Sequence, residues 1–341
     1  MHNGLLLLRQ ASHIMTLSMT SSKLKASPYL NKDFSFPSPA KLNLFLHVVG
    51  QRADGYHELE TLFQFIDYSD TIEISITEEP DIILLTPIDG VKNEDNLIIK
   101  AALLLQKRIQ KKKSFQYDNK QSKLLGAKIS INKVLPMGGG LGGGSSNAAT
   151  VLVALNILWQ INLTKDELAE IGLSLGADVP IFIHGFAAFA QGIGEQLTPV
   201  TPKESWYLVT KPKVSISTAS VFTSKDLPRN TTKITSKDFN TEYQDHELFA
   251  ASSSKTAKYH NDCQTMVIKH YDQVAKLLAW LVEYAPSRMT GTGACVFSRF
   301  SSQQEACELQ TKLPRGISSF IAQGLNKSPL CSVMEQLESS N

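Results

Sequence analysis

The residues from Leu135 to Asn147 include six glycines and two serines, and they lie between a strand-like run and a helix-like run. Glycines allow positive φ angles and carry no Cβ, so the backbone N–H groups of such a segment can close around an anion. We expect Ser145 or Ser146 to cap the following helix, whose positive dipole end would face the same anion. The segment therefore predicts a loop that binds polyphosphate.

Two other interpretations of these glycines remain open as weaker alternatives. Three of them also match the dinucleotide fingerprint G-x-G-x-x-G, which requires an acid at a strand end about 20 residues further on. The candidate acid, Asp166, lies instead between Thr164 and Glu167, which form a capping box at a helix start. A flexible linker would lack the apolar periodicity found on both sides. No Gly-Lys-Ser or Gly-Lys-Thr of a Walker A loop is present.

Two charged residues lie in apolar surroundings. Lys41 shares one face of a predicted strand with Asn43, and the apolar neighbours of Asp178 predict that its carboxylate is buried. An unpaired buried charge is costly, so Asp178 needs a cation or hydrogen-bond donors nearby, and Lys41 is the candidate. Taken singly, Asp178 could equally be a turn or helix cap, and Lys41 a strand-edge charge with its ammonium in water.

The bulk properties describe an ordinary globular protein. With 341 residues and 42% hydrophobic content, the chain can form two domains. A formal net charge of +2 gives no support for binding to nucleic acid or to an anionic membrane, and the basic run at 107–113 is typical of a solvated helix end. The four cysteines and eight histidines form no C-x-x-C or H-E-x-x-H pattern, which favours a reducing cytoplasm without structural zinc. No apolar run reaches the roughly 18 residues of a membrane span.

Strand-like and helix-like segments alternate along the chain, which predicts an α+β fold. In the first half the predicted strands are 42–49, 71–76 and 127–132, and the predicted helices are 96–108, 145–159 and 165–175. In the second half we expect strand 206–216, helix 218–223, a polar and mobile stretch at 228–260, helix 263–284, strand 289–299, helix 303–313 and strand 318–323. That second order suits a split β-α-β sandwich.

These segments predict two domains, at 35–198 and 205–330, separated by a break at Pro199 and Pro202. Residues 1–34 predict a disordered extension, or translation that begins at Met15 or Met19. A mitochondrial or plastid targeting peptide is the minority interpretation of the same residues.

Five ordered motifs resemble those of the GHMP kinase superfamily. They are Ser38–Leu44, Arg52–His57, the glycine loop, Leu175–Pro180 and Gly291–Cys295. The resemblance runs from about Pro37 to Leu330. It implies a two-domain GHMP kinase fold, with an N-terminal domain like ribosomal S5 domain 2, a ferredoxin-like C-terminal domain, and ATP bound between them. The implied activity is that of a small-molecule kinase on the route to isoprenoid precursors.

The resemblance also implies which residues act on the phosphates. Asp178 would accept or orient the proton of the substrate hydroxyl, while Lys41 keeps Asp178 ionised and offsets developing charge. The turn at Gly291 would support the loop from across the cleft. The ATP phosphates would be clasped by Pro136, Met137, Gly138, Gly139, Gly140, Leu141, Gly142, Gly143, Gly144, Ser145 and Ser146. Mg²⁺ would neutralise the phosphate oxygens, and its protein ligands stay unassigned.

The remaining implied residues bind a small alcohol that carries a cytidine diphosphate group. Tyr56 and Phe222 would stack on the cytosine, His57 would read its hydrogen-bonding edge, and Asn43 and Asn147 would complete the substrate site. Without the resemblance, Tyr56 would be a turn aromatic packed on the domain, His57 a plain surface imidazole and Phe222 a core residue.

Two rival functions remain. One is a related kinase acting on mevalonate-like or homoserine-like alcohols, and the other is a catalytically silent ligand sensor. We expect no nucleic acid or membrane partner, and a monomer or weak homodimer.

Overall fold

The computed structural model describes residues 27–115, 124–234, 248–249 and 258–339. Most of the predicted extension and part of the predicted polar stretch at 228–260 therefore lie outside the described residues. Residues 27–34 are ordered, since Tyr29 is buried and the Asn31 amide donates to the Ile76 carbonyl.

Strands and helices alternate through both halves of the chain. The strands are β1 (Asp33–Gln51), β2 (His57–Thr77), β3 (Ile82–Leu84), β4 (Gly126–Asn132), β5 (Ala188–Gln191), β6 (Gln196–Pro199), β7 (Trp206–Lys211), β8 (Ser287–Met289), β9 (Val296–Phe300) and β10 (Ser318–Leu325). The helices are α1 (Leu97–Phe115), α2 (Gly143–Leu158), α3 (Lys165–Leu173), α4 (Val179–His184), α5 (Thr218–Thr223), α6 (Asp262–His270), α7 (Asp272–Val282), α8 (Gln303–Gln310) and α9 (Pro329–Ser339). The predicted α+β class is confirmed.

The central strand of the sheet is β2, which pairs antiparallel with β1, β4, β5 and β10. Among the described strands, the sheet runs in the order β3-β4-β2-β10-β7-β9-β8, and only β3 and β4 pair in parallel. A dinucleotide-binding fold requires a mostly parallel sheet, so this topology rules out that interpretation of the glycines.

Strand β1 is long and buried on both faces in its middle part. Such a strand needs cover on each side, and six of the nine residues from Ala40 to Val48 are apolar. Its register with β2 shifts between Pro39 and Ala40, and again between Asn43 and Leu46. Irregularities of this kind redirect side chains, and here they flank Lys41.

The hydrophobic core has three parts. One lies between β1, β2 and α2, and α2 is apolar nearly all round because it is enclosed by other elements. A second part is centred on β9 and α7 and includes Leu46 and Val48 of β1, and a third also joins residues from both halves. Leu330 and Met334 of α9 pack into the first part. The domain limits 35–198 and 205–330 stay a prediction.

Several predicted element bounds are wrong. The predicted strands 42–49 and 71–76 are only parts of β1 and β2, and three predicted bounds in the C-terminal half differ for a local reason. The predicted helix 263–284 is two helices, because Tyr271 takes a non-helical conformation (φ −130°, ψ 88°) between α6 and α7. The predicted strand 289–299 is interrupted by a glycine turn between β8 and β9. The predicted strand 206–216 ends at Lys211, since Pro212 has no N–H to donate to a ladder.

The cap of α2 also differs from the prediction. Gly142 is the N-cap residue, with a φ of 72°, and no side chain caps the helix, so neither Ser145 nor Ser146 does so. The capping box of Thr164 and Glu167 at the start of α3 is confirmed. None of the helices within the described ranges combines the length and the apolar content that crossing a membrane requires.

Candidate active site

A cavity of about 600 Å³ brings four of the five motifs together. Its lining includes Lys41 and Asn43 of β1, residues 136–145 of the glycine loop, Asn147, Asp178, Phe222, Gly291 and Thr292. The predicted phosphate loop and the predicted catalytic pair therefore share one space.

The glycine loop turns its carbonyl groups toward the protein and leaves its amides unused. Gly138, Gly140 and Gly142 have φ values of 63°, 74° and 72°, which favour glycine. Carbonyl oxygens of the loop accept hydrogen bonds from Lys41 N, Ser146 N, Ala294 N and Cys295 N. Within the described residues, no amide N–H from 137 to 145 donates a hydrogen bond. Open amides at the start of a helix are the donors that a phosphate requires.

The Gly291 turn holds the loop from the opposite side, as predicted. Ala294 N donates to the Gly138 carbonyl at 3.1 Å, and Cys295 N donates to the Gly139 carbonyl at 3.2 Å. A Cβ placed on Gly140 would lie 2.2 Å from the Thr290 carbonyl oxygen. The two backbones are in contact, so a side chain at this glycine would push the segments apart.

A buried aspartate that the sequence prediction missed anchors the loop from below. Asp70 of β2 is fully buried and accepts hydrogen bonds from Val134 N and Leu135 N, each at 2.8 Å, and from Lys133 Nζ at 2.5 Å. One signal in the sequence could have indicated that Asp70 is buried. It lies two residues before Ile72 on β2, so both side chains are on the same, inward-facing side of the strand.

Asn147 and Ser146 lie behind the loop. Asn147 donates both amide hydrogens inside the protein, to Ser38 Oγ at 2.8 Å and to Asp70 Oδ2 at 3.0 Å. Ser146 is fully buried, and its Oγ accepts a hydrogen bond from Ser38 Oγ. These contacts show how the two residues support the loop, while their predicted contacts with ligands stay predictions.

Lys41 and Asp178 meet at the cavity, as predicted. Lys41 Nζ lies 3.3 Å from Asp178 Oδ2, and the Lys41 side chain is almost completely buried. The ammonium also donates to Asn43 Oδ1 and lies over the ring of Phe63, 5.0 Å from its centroid. Lys41 N donates to the Leu141 carbonyl, so the lysine is attached to the glycine loop through its own backbone.

The prediction that Asp178 is buried is wrong, because its side chain is 36% exposed. Asp178 is the N-cap residue of α4, and its carboxylate makes no capping hydrogen bond. The apolar residues that follow it are buried, whereas the carboxylate itself faces the cavity. A carboxylate with one cation and open space beside it can receive a hydroxyl group.

Asn43 connects three elements. Its Nδ2 donates to Thr61 Oγ1 of β2, and its backbone N donates to Thr290 Oγ1 of the opposite turn, both at 2.9 Å. With its Oδ1 accepting from Lys41, the side chain has little freedom to rotate. It therefore holds the ammonium in a fixed position beside Asp178.

The predicted base-binding residues form a second, looser group. Phe222 of α5 lines the cavity, and the His57 ring stacks on it with centroids 5.2 Å apart and planes 29° apart. Tyr56 is 61% exposed and lies outside the lining, as does His57. The structure brings His57 and Phe222 together and does not bring Tyr56 to them.

Arg229, which the sequence prediction missed, fixes the position of His57. Its Nε donates to His57 Nε2 at 3.0 Å. Burial lowers the pKa of His57 below its ordinary value, and the nearby Arg229 cation lowers the pKa further. His57 is therefore a neutral imidazole at neutral pH. No motif of the resemblance contains Arg229, so its partner could be found only from coordinates.

Comparison with protein families supports the resemblance that the sequence motifs indicated. The family profile described as GHMP kinases N terminal domain matches residues 96–186, and the profile described as GHMP kinases C terminal matches residues 240–318. The fold and the site thus define a GHMP kinase, a class of ATP-dependent phosphotransferases.

Similar proteins narrow the assignment. A 4-diphosphocytidyl-2-C-methyl-D-erythritol kinase from Colwellia psychrerythraea is 65% identical over 315 residues, which cover 92% of this chain and 98% of that protein. The same kinase from Shewanella frigidimarina is 55% identical over 304 residues, 89% of this chain and 96% of that protein. The chain therefore belongs to the 4-diphosphocytidyl-2-C-methyl-D-erythritol kinase family.

Solved structures agree on the fold. A crystal structure of 4-(cytidine 5'-diphospho)-2C-methyl-D-erythritol kinase superposes with a TM-score of 0.65 at 26% identity, over 85% of this chain and 99% of the other. A mevalonate kinase superposes with a TM-score of 0.59 at 18% identity, over 86% of this chain and 100% of the other, and shows the shared fold alone.

Proposed function

We propose that this chain transfers a phosphoryl group from ATP to the 2-hydroxyl of 4-diphosphocytidyl-2-C-methyl-D-erythritol, on the route to isoprenoid precursors. One observation carries the proposal. The pair of Lys41 and Asp178, with Nζ and Oδ2 3.3 Å apart, opens onto the same cavity as the unused amides of the glycine loop. An acid, a cation and an anion site in one space are the parts that phosphoryl transfer to an alcohol needs.

Asp178 acts on the hydroxyl. Its exposed carboxylate accepts the proton of the substrate hydroxyl or orients that hydroxyl toward the phosphate. Lys41 keeps the carboxylate ionised and offsets negative charge that develops during transfer. Asn43 holds the Lys41 ammonium, so no rearrangement of the lysine is needed at the moment of reaction.

The glycine loop receives the phosphates of ATP. Within the described residues, its amides from 137 to 145 donate no hydrogen bond, and the N-terminus of α2 adds a favourable dipole. Bound ATP with Mg²⁺ supplies the phosphoryl group. Mg²⁺ is usually held by one or two carboxylates together with phosphate oxygens, and the cavity offers oxygen donors such as Asp178 and Ser145.

The cytidine end belongs at the other end of the cavity. Phe222 and Tyr56 supply aromatic faces on which a base can stack, and His57 supplies a polar ring edge. This placement distinguishes the proposal from a mevalonate or homoserine kinase, whose substrates have no base to bind. We also expect the enzyme to work in the cytoplasm as a monomer or weak homodimer, with its two domains at 35–198 and 205–330.

A substrate comparison tests the proposal. The purified chain is assayed for ADP release with ATP and 4-diphosphocytidyl-2-C-methyl-D-erythritol, beside mevalonate and homoserine as alternative acceptors. We expect turnover of the cytidine substrate alone, with the phosphate on its 2-hydroxyl by phosphorus NMR. Turnover of mevalonate or homoserine in its place would refute the assignment, and ATP binding without any turnover would favour the ligand sensor.

A further inference from the structure

Arg229 occupies an unusual position for a charged residue. Within the described ranges, no carboxylate pairs with its guanidinium. The group donates instead to the backbone carbonyls of Leu227, Phe222 and Ser224, at 3.0, 3.0 and 2.7 Å, and to His57 Nε2. Three carbonyls and one imidazole nitrogen hold the plane of the guanidinium, so Arg229 cannot follow the histidine if its ring turns.

Arginine can only donate hydrogen bonds, because it has no acceptor and stays protonated in proteins. The nitrogen that faces it must therefore offer a lone pair. In a neutral imidazole one nitrogen accepts and the other carries the proton. With Nε2 accepting from Arg229 at 3.0 Å, the proton of His57 lies on Nδ1.

The Nδ1 atom of His57 is open to a ligand. Among the described residues, Nδ1 makes no hydrogen bond. It is also not completely buried, since it is absent from the buried polar atoms that have no partner. The ring stacks on Phe222, which lines the cavity. The Nδ1–H group is thus a donor near the base-binding end of the site.

We propose that Arg229 is a positioning residue that fixes the tautomer of His57, so that Nδ1–H donates to an acceptor on the cytosine ring. This inference rests on the proposed function for the identity of the base. Cytosine offers two acceptors, N3 and O2, on the edge beside its amino group. A histidine free to change tautomer would offer a lone pair part of the time and lose that contact.

The tautomer is observable without turnover. The full chain, labelled with ¹⁵N-histidine, is studied by long-range ¹H–¹⁵N NMR at pH 8, and the His57 signals are those that disappear in His57→Gln. We expect wild type to carry its proton on Nδ1. Arg229→Lys retains a donor-only side chain and should keep this tautomer, whereas Arg229→Met has no donor and should shift the proton toward Nε2.

Binding of cytidine 5′-diphosphate then tests the contact with the base. Adding it should move the Nδ1–H resonance, and Arg229→Met should bind it about fivefold more weakly, the value of one neutral hydrogen bond. Arg229→Lys should stay near wild type. A purely structural role predicts the opposite for Arg229→Lys, since lysine cannot hold three carbonyls and the histidine at once.

The outcomes separate this inference from the proposed function. A wild-type proton on Nε2 overturns the inference whatever the substrate is, and so does Arg229→Lys behaving like Arg229→Met in both measurements. Turnover of a different alcohol would contradict the proposed function, while the wild-type spectrum would still decide the tautomer. If Arg229→Met fails to fold, the inference is still tested, because it requires the proton on Nδ1 both in wild type and in Arg229→Lys.

Discussion

The two ends of the cavity are built in different ways. At the phosphate end, a continuous backbone segment is held by buried groups: Asp70 below it, the Gly291 turn opposite, and Lys41 beside it. At the base end, single side chains come from a turn and a short helix, and Tyr56 is mostly exposed. The first end depends on the fold as a whole, whereas the second depends on a few side chains.

This difference predicts how the two ends respond to change. A substitution at the phosphate end should disturb stability and ATP binding together, because the backbone segment that would bind ATP is itself held in place by buried groups. A substitution at the base end should alter binding of the cytidine substrate with little effect on stability.

The largest effect is expected at Asp178, which lies beside Lys41 in the cavity. Asp178→Ala should lower kcat by roughly 10² or more, the usual scale for a positioned acid–base group, while ATP still binds to the glycine loop. Steady-state rates measure kcat, and an ATP titration measures ATP binding. Asp178→Asn is the matched control, as it keeps size without a charge and should be similarly slow. Wild-type rates in either variant would remove Asp178 from the chemistry.

Next comes the anchor of the phosphate end. Asp70→Ala leaves the amides of Val134 and Leu135 and the side chain of Asn147 without their acceptor, at a cost of roughly 3 kcal/mol in the free energy of unfolding. The KM for ATP should rise more than the KM for the cytidine substrate.

Denaturant unfolding and steady-state kinetics test this anchor. Asp70→Asn serves as the control, because its Oδ1 can still accept from the two backbone amides. If Asp70→Ala were as stable as wild type, the rigid anchoring of the loop would have to be abandoned.

A smaller effect is expected at the base end. Tyr56→Ala should raise the KM for the cytidine substrate and leave the KM for ATP unchanged, since base stacking contributes about 1 to 3 kcal/mol. The melting temperature should stay near that of wild type, because the side chain is exposed. Tyr56→Phe keeps the ring and should behave like wild type. Equal changes in both KM values would show that the two ends are not separate.

The smallest effect concerns pH. The pKa of His57 lies below its ordinary 6.5, through burial first and Arg229 second. Protonation puts a hydrogen on Nε2, which can then no longer accept from Arg229. His57 loses the contact that positions it, so the KM for the cytidine substrate should rise only as pH falls below 6.5. His57→Gln provides the baseline for titration of the substrate phosphates. An excess rise centred above pH 6.5 would contradict the lowered pKa.

Prediction from sequence succeeded more at the phosphate end of the cavity than at the base end. The glycine loop could be recognised because its turns demand glycine at fixed spacing. The Lys41–Asp178 contact was predicted because a charge among apolar residues needs a partner, although the buried member of the pair is Lys41 and not Asp178. Asp70 and Arg229 were missed because their partners are distant in sequence and no motif surrounds them. The exposure of Asp178 was mispredicted because apolar neighbours report on the backbone environment and not on where a side chain points.

The crowding around Gly142 limits how this enzyme could be altered. A Cβ there would lie 2.8 Å from Phe182 Cζ and 3.1 Å from Lys41 Cε, at a φ that already favours glycine. A randomised library over the loop should thus return glycine at this position, whatever acceptor is selected. Variants with new acceptor specificity are better sought among Tyr56, Phe222 and their neighbours, where diversity is tolerated.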